Sequence, residues 1–532
     1  MPTYGLLVNL IVDALFSWGR MFIALFISIL LSIVIGVYAA TSRKAERVIL
    51  PIIDILQTIP ILAFFPIALI VFVVYLPGYI GINAAVIFLI VTSMLWNIIF
   101  GVYESIKTIP GEFLEVADLY RMNMMQKLRK IFIPAALPRI VQQSILSWSI
   151  GLFYLVTSEI FSYGTSACCR VQHGIGAALV ELAPGAPGGS VGAYLMGIAV
   201  FIAFVIATRF LFFKPLEDYA DRYTKPAVKS RSRARPAMFV SWFSKRIATQ
   251  QFGGFGTGIA QKRKARRHAY TGGANAVQEA KPAINKWAYY AVAIAAIALL
   301  AVYAVSVNSR ILAYEYMTLT SLLLSFARIW LAFALITAIA LPVCVYLIFI
   351  SRQSSKYLLF FQIAASIPAT ILLPGIAIAF SGFPFSSELV AFTVFFMSGI
   401  WYVIFSIIAS TRTLPPSIFE VKKLFGVKGR QAWKSIYIKA LLPGFITGAL
   451  TGIAAEWNAS IVAECFTTGG ITTNGTVISC VNAGIGKLLD STAGSGNLVL
   501  MAVALLNLVV MILLINTFVW KRMYRNVAKV YR

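Results

Sequence analysis

The sequence predicts an all-α polytopic membrane protein of about eleven transmembrane helices: two parallel five-helix repeats joined by a linker and one extra helix. Three observations predict it: an apolar composition, eleven apolar stretches long enough to span a bilayer, and a loop sequence that recurs 305 residues later (420 − 115). Of the 532 residues, 60% are hydrophobic and 12% charged, and the mean hydropathy is +0.84. Soluble globular chains lie far from these values.

A helix needs about 20 mostly apolar residues to cross the hydrocarbon core. The stretches that qualify are 21–40, 49–76, 82–102, 140–161, 191–213, 287–307, 329–350, 357–380, 389–408, 441–466 and 498–520. None shows the ten-residue alternation of barrel strands. Residues 1–20 are apolar but carry Asp13 and Arg20, and lack the basic start and small-residue cleavage site of a signal peptide. They are expected to form an interfacial helix leading into the first span.

Cations fix the expected orientation. Arg43, Lys44 and Arg47 follow the first span, Arg121, Lys127, Arg129 and Lys130 the third, Arg352 and Lys356 the seventh, and Lys521, Arg522, Arg525, Lys529 and Arg532 the last. By the positive-inside rule these loops are cytoplasmic, with the N-terminus outside and the C-terminus inside the cytoplasmic (inner) membrane. Much of the net charge of +26 therefore serves topology and attraction to anionic lipid, and no nucleic-acid partner is implied. Between the halves, residues 214–286 hold 16 Lys or Arg against four acidic residues. This segment reads as a partly disordered cytoplasmic linker. No G-x-x-x-x-G-K-[ST] phosphate loop occurs anywhere, so any ATP chemistry belongs to another subunit.

The recurring loops are EVADLYRMNMMQKLRKIFIPAALP, residues 115–138, and EVKKLFGVKGRQAWKSIYIKALLP, residues 420–443. They share nine of 24 positions without a gap. DILQTIPILAFFP aligns with QIAASIPATILLP at an offset of 308, as do Ser17 and Arg20 with Ser325 and Arg328, while Glu159 meets Glu464 at 305. The expected domains are a first repeat over 1–214, the linker 215–286, the extra helix 287–307, a second repeat over 317–522 and a basic tail over 523–532. The extra helix makes six crossings between the two loops, so the repeats are parallel and both loops lie on one membrane face.

These loops resemble the cytoplasmic signature of binding-protein-dependent ABC importer permeases, E-A-A-x-x-x-G-x9-I-x-L-P. Glu115, Ala117, Ile131 and Pro134 match in the first copy, where Arg121 stands for the glycine; Glu420, Gly426 and Ile436 match in the second. The IP…P segments, the W-x6-E of Trp457 and Glu464, and the GIG sequences at 174–176 and 484–486 resemble the nitrate, sulfonate and taurine branch. The resemblance implies the type I ABC importer permease (MetI-like) fold and a pathway for a small anion such as nitrate, a sulfonate or taurine. It implies an external solute-binding protein and two ABC ATPase subunits forming a homodimer. ATP and Mg would reside in that ATPase, with no cofactor and no enzyme site in this chain. Glu115, Ala117, Arg121, Glu420 and Gly426 become the expected coupling residues. An ion-gradient-driven carrier or channel with parallel repeats is the alternative.

Pro60, Pro66, Pro368 and Pro374 each remove a helix hydrogen bond and favour kinks, so they are pathway candidates. Glu159 and Glu464, rare carboxyls inside spans, are assigned to structural pairing or gating, together with Trp457. Arg20 and Arg328 are candidate partners, against the competing reading that they snorkel to the interface. Cys465 and Cys480 form the simplest disulfide candidate. His173 and His268 lie too far apart to build a metal site.

Overall fold

The computed structural model describes residues 3–57, 78–163, 171–223 apart from 185 and 187, 309–410 apart from 352 and 353, 429–466 and 479–515. It also describes isolated positions at 61, 68, 71, 72, 75, 76, 518, 519 and 523. The expected extra helix 287–307, nearly all of the linker, Pro60, Pro66, Glu420, Gly426 and His268 lie outside the described residues. Seven described helices are long and apolar enough to cross a membrane, and two shorter apolar helices accompany them.

The first half runs α1 (Thr3–Thr41), α2 (Arg43–Leu56), α3 (Tyr79–Lys107), α4 (Gly111–Leu119), α5 (Ile133–Tyr163), α6 (Ile175–Glu181) and α7 (Val191–Thr208). The second runs α8 (Ser309–Val345), α9 (Ser354–Ala365), α10 (Ala369–Phe380), α11 (Ser386–Ser410), α12 (Ile438–Glu464), α13 (Ile485–Ser495) and α14 (Leu498–Ile515). Between α12 and α13, β1 (Cys465–Phe466) pairs antiparallel with β2 (Ser479–Cys480). Both α5 and α12 are entered through a π turn, Leu128–Phe132 and Trp433–Tyr437, again 305 residues apart.

The structure draws two boundaries differently. Residues 3–20, expected as a separate helix, run without a break into the first span as part of α1, one helix of 39 residues. At 1.5 Å per residue it is about 58 Å long, well beyond a bilayer core of about 30 Å. No proline interrupts it, and Leu10, Ala14, Ser17, Trp18 and Met21 form a buried helical stripe. That stripe packs on α6 and α7, with Trp18 between Phe201 and Phe204 and its indole N–H donating to Thr208 Oγ1 (2.6 Å). The stretch 357–380, expected as one kinked span, is two helices broken at 366–368. Pro368 is the N-cap of α10, whereas Pro374 lies inside α10. The linker also begins in order, because Lys214–Ala220 and Asp221–Tyr223 extend the helical path beyond α7.

The tightest packing pairs α11 with α12, α3 with α5 and α1 with α3. On α12, Gly444, Gly448 and Gly452 recur every four residues and face α11. A Cβ at Gly448 would stand 2.8 Å from the Val403 backbone. Small residues let helix backbones approach where lipid offers no hydrophobic drive for association. In the first half the roles reverse: Gly101 on α3 accepts the Gln143 side chain of α5.

The halves interlock through the broken segment. Ser366 and Ser149 of α5 share a hydroxyl hydrogen bond (2.7 Å), and the Tyr194 hydroxyl of α7 donates to the Ile371 carbonyl. In return, the Ile61 amide donates to Asn458 Oδ1 on α12 (3.0 Å).

Candidate functional site

Four places concentrate polar chemistry: one buried latch in each half, a cavity between the halves, and the exposed helix α4.

In the first latch, Glu159 lies near the C-terminal end of α5 with 0% exposure. Its Oε1 accepts from Ser17 Oγ (2.7 Å) and Arg20 Nη1 (2.7 Å), and its Oε2 from the Gly176 amide (2.8 Å). Ser17 in turn accepts from the Ile175 amide (3.0 Å). Arg20, 4% exposed, also donates to the His173 carbonyl (2.6 Å) and to Asn83 Oδ1 (2.7 Å). A buried ion pair persists only when its remaining hydrogen-bonding capacity is met, and here it is. The GIG sequence has a steric reason. A Cβ on Gly174 would lie 2.7 Å from the Glu159 carboxyl carbon, and one on Gly176 would lie 2.8 Å from the Val156 carbonyl.

The second latch repeats the first, atom for atom in its centre. Glu464 Oε1 accepts from Ser325 Oγ (2.5 Å) and Arg328 Nη1 (3.2 Å), and Oε2 from the Gly486 amide (2.8 Å). The Ile485 amide donates to Ser325 Oγ (2.8 Å), and Arg328 reaches the Ala483 carbonyl (2.8 Å). One partner differs. Where the first latch has the neutral Asn83, the second has Glu388, which takes Arg328 Nε and Nη2 in a fork (2.6 and 2.7 Å). The first latch is thus neutral and the second carries one excess negative charge. Directly after Glu464, the Cys465–Cys480 disulfide joins β1 to β2. The Val481 amide donates to the Glu464 carbonyl there (2.9 Å).

Between the halves lies a cavity of about 540 Å³. Ser93 and Trp96 of α3 face it together with their counterparts Ser398 and Trp401 of α11, each 305 residues on. Trp457, Asn458 and the break at Ile367–Pro368 complete its wall. No Lys, Arg, Asp or Glu lines it among the described residues. Behind Ala455 and Trp457, Glu456 is 0% exposed and neither carboxyl oxygen has a partner. It fills the space over Gly399, where a Cβ would stand 2.3 Å from Glu456 Oε1. In the first half the corresponding space over Gly151 is filled from the opposite helix, by the Met94 methyl (2.3 Å). Met94 matches Gly399, and Gly151 matches Glu456, at the offset of 305.

Helix α4 follows Pro110 and carries Glu112 in its first turn, where the helix dipole favours an acid. Ala117 is its one buried residue, while Glu115 is exposed. Phe113, Val116, Leu119 and Tyr120 are 60%, 51%, 83% and 68% exposed, an apolar face larger than solvent alone explains. Arg121, where the signature has glycine, takes a left-handed conformation with φ 49°. The chain reverses there, and the Met122 amide donates to the Ala117 carbonyl (2.9 Å). Asn123 and Gln126 then form a reciprocal capping box.

Two carboxyls outside the spans are displaced from their ordinary values. Burial pushes Glu46 of α2 upward, but hydrogen bonds from Lys107 (2.7 Å) and Tyr103 (2.5 Å) outweigh it and hold the group below 4.5. Burial alone pushes Asp490 of α13 from 3.8 up to about 6.

Sequence reasoning located Ser17, Arg20, Glu159, the GIG glycines and their counterparts separately; the structure brings them together. It places Pro368 and Trp457 on the cavity wall and leaves Glu159 and Glu464 outside it. Asn83, Glu388, Trp96 and Trp401 were missed. The signal was present, since both pairs sit at the offset of 305.

Seven described helices of membrane length, in two like halves with a cavity between them, are the architecture of a polytopic membrane protein. Residues 32–213 match the family described as Binding-protein-dependent transport system inner membrane component. The bicarbonate transport system permease protein of Synechococcus elongatus is 28% identical over 138 residues, 26% of this chain and 47% of the relative. The nitrate import permease protein of the same organism is 26% identical over 146 residues, 27% of this chain and 50% of the relative. The putative aliphatic sulfonates transport permease protein of Bacillus subtilis is 28% identical over 130 residues, 24% of this chain and 45% of the relative. The chain spans about half the length of the curated relatives it matches. The resemblance to binding-protein-dependent permeases, and to their anion branch, is borne out by these matches.

Proposed function

We propose that this chain is the transmembrane permease of an ATP-driven ABC importer, with both permease halves in one polypeptide. The observation that carries this reading is α4. It is a short exposed helix bearing an apolar face, in the loop that matches the importer signature and within the span of the family match. Such a helix docks in a groove on a partner and transmits movement as a rigid lever. Two ATPase subunits, binding ATP and Mg²⁺ themselves, would hold the two loops, and an external binding protein would deliver solute to the opposite face. The basic loops and the C-terminus would then be cytoplasmic, with the N-terminus and the disulfide outside. ATPase closure changes the relative stability of two conformations, and the cavity opens to one face or the other. By resemblance the solute is a small anion or anion-bearing molecule such as nitrate, a sulfonate or taurine.

The test is co-purification of the tagged chain in gentle detergent, comparing wild type with a Glu115→Arg, Glu420→Arg double variant. A nucleotide-binding ATPase recovered with wild type and reduced with the variant supports the reading. No ATPase with either version refutes it.

A further inference from the structure

We infer that Ser149 and Tyr194 are positioning residues for the pathway: from the first half they clasp the break at 366–368 in the second, a stretch of cavity wall that shifts independently of the helices around it. The permease reading enters only in what that movement serves.

The break is short of hydrogen bonds of its own. Helix α9 ends at Ala365 and α10 begins at Ala369. Between them two turn bonds hold the chain, from the Ser366 amide to the Ile363 carbonyl (2.9 Å) and from the Ile367 amide to the Ala364 carbonyl (3.2 Å). Pro368 has no amide hydrogen to give, and Pro374 withholds the one that would bond the Thr370 carbonyl. Thr370 is fully buried, and its hydroxyl has no partner among the described residues. A void of about 20 Å³ adjoins the break, lined by Ile363 and Ser366 and by Trp148 and Arg209 of the first half. The segment is thus neither fully tied by its own backbone nor packed solid, while Ile367, Pro368 and Ala369 line the cavity.

What holds it comes from the other half. Ser149 and Ser366 share their hydroxyl hydrogen bond (2.7 Å), and the Tyr194 hydroxyl donates to the Ile371 carbonyl in the first turn of α10. The Tyr194 ring also packs one turn further on, where a Cβ at Gly375 would stand 3.4 Å from it. Both clasps run one way. At the offset of 305, Ser149 meets Ala454 and Tyr194 meets Val499, and neither carries a side-chain hydrogen-bonding group. A neutral hydrogen bond contributes little in net terms, so two of them fix the segment yet release it without dismantling the bundle. Helices α3, α5, α11 and α12 are by contrast continuous and closely apposed in pairs.

The test is hydrogen exchange read by mass spectrometry on the full chain in lipid nanodiscs. Tyr194→Phe and Ser149→Ala should each raise exchange over residues 366–373 by about fivefold, the scale of one net hydrogen bond, while exchange across α3 and α12 stays at the wild-type level. Ser149→Thr, which keeps a hydroxyl, should restore wild-type exchange. Oxidising a Ser149→Cys, Ser366→Cys double variant should slow exchange over the same residues below that of the wild type. Unchanged exchange in both single variants overturns the inference. A rise spread evenly over the helices does so too, since it reports lost packing in general. A cross-linked variant that exchanges no more slowly shows the segment to be rigid already, and also overturns it. Recovery of the ATPase is scored separately, so failure of the importer reading leaves the exchange result interpretable.

Discussion

At the scale of single residues, the two latches make a comparative prediction. Removing one partner of a buried ion pair costs about 3–5 kcal/mol, because the other charge is stranded. Glu159→Gln leaves Arg20 facing only neutral groups, whereas Glu464→Gln leaves Arg328 its fork with Glu388. Thermal unfolding in detergent should therefore show the larger loss for Glu159→Gln; equal losses would contradict the assigned contacts. Arg121 supplies a second prediction. A non-glycine residue in the left-handed region costs roughly 1–2 kcal/mol, so Arg121→Gly should slow hydrogen exchange across residues 111–122, and unchanged exchange would show the turn to be unstrained. Asp490 supplies a third, with a sign. Its folded value, about 6, lies above 3.8, so the folded state holds more protons between these limits. Stability is then lost as pH rises through this window. Asp490→Asn should flatten that part of the pH profile. Glu46 behaves oppositely: held below 4.5, it stabilises above that value and loses its contribution as pH falls through the folded value.

At the scale of elements, close approach decides what can change. Gly448 of α12 leaves no room for a side chain against Val403, so Gly448→Leu must force α11 and α12 apart. Overpacking typically costs about 1–3 kcal/mol, and more is expected here because the obstacle is backbone. Reduced yield and a lowered melting temperature check it. Helix existence was legible, since hydropathy over 20 residues is a strong signal, but continuity was not. Composition cannot distinguish a span from a span extended by apolar residues, and so α1 was divided at Arg20, which finds Glu159 inside the bundle instead of the interface. Two prolines in 357–380 looked alike in sequence. One caps a new helix and the other sits within it, because Ser366 and Ile371 are held by the opposite half. That distinction depends on partners 177 to 217 residues away.

At the scale of the whole molecule, the internal offset was the most informative feature of the sequence. It aligned Ser17, Arg20 and Glu159 with Ser325, Arg328 and Glu464 before any contact was known, yet it could not say which aligned residues touch, and the matched Trp96 and Trp401 went unnoticed. The aligned loops differ, with Arg121 opposite Gly426. The single variants Glu115→Arg and Glu420→Arg should accordingly reduce ATPase recovery by different factors, and equal reductions would mean the two contacts are equivalent. The exchange of Met94 and Gly151 for Gly399 and Glu456 reaches further. A chimera that carries α11 alone into the place of α3 would set Gly399 against Gly151 and leave a void. The reverse graft would drive Met94 into Glu456. Only a helix pair moved together keeps its fit. At this contact the two facing helices of each half differ in step with one another, and the halves are no longer spare parts for one another there.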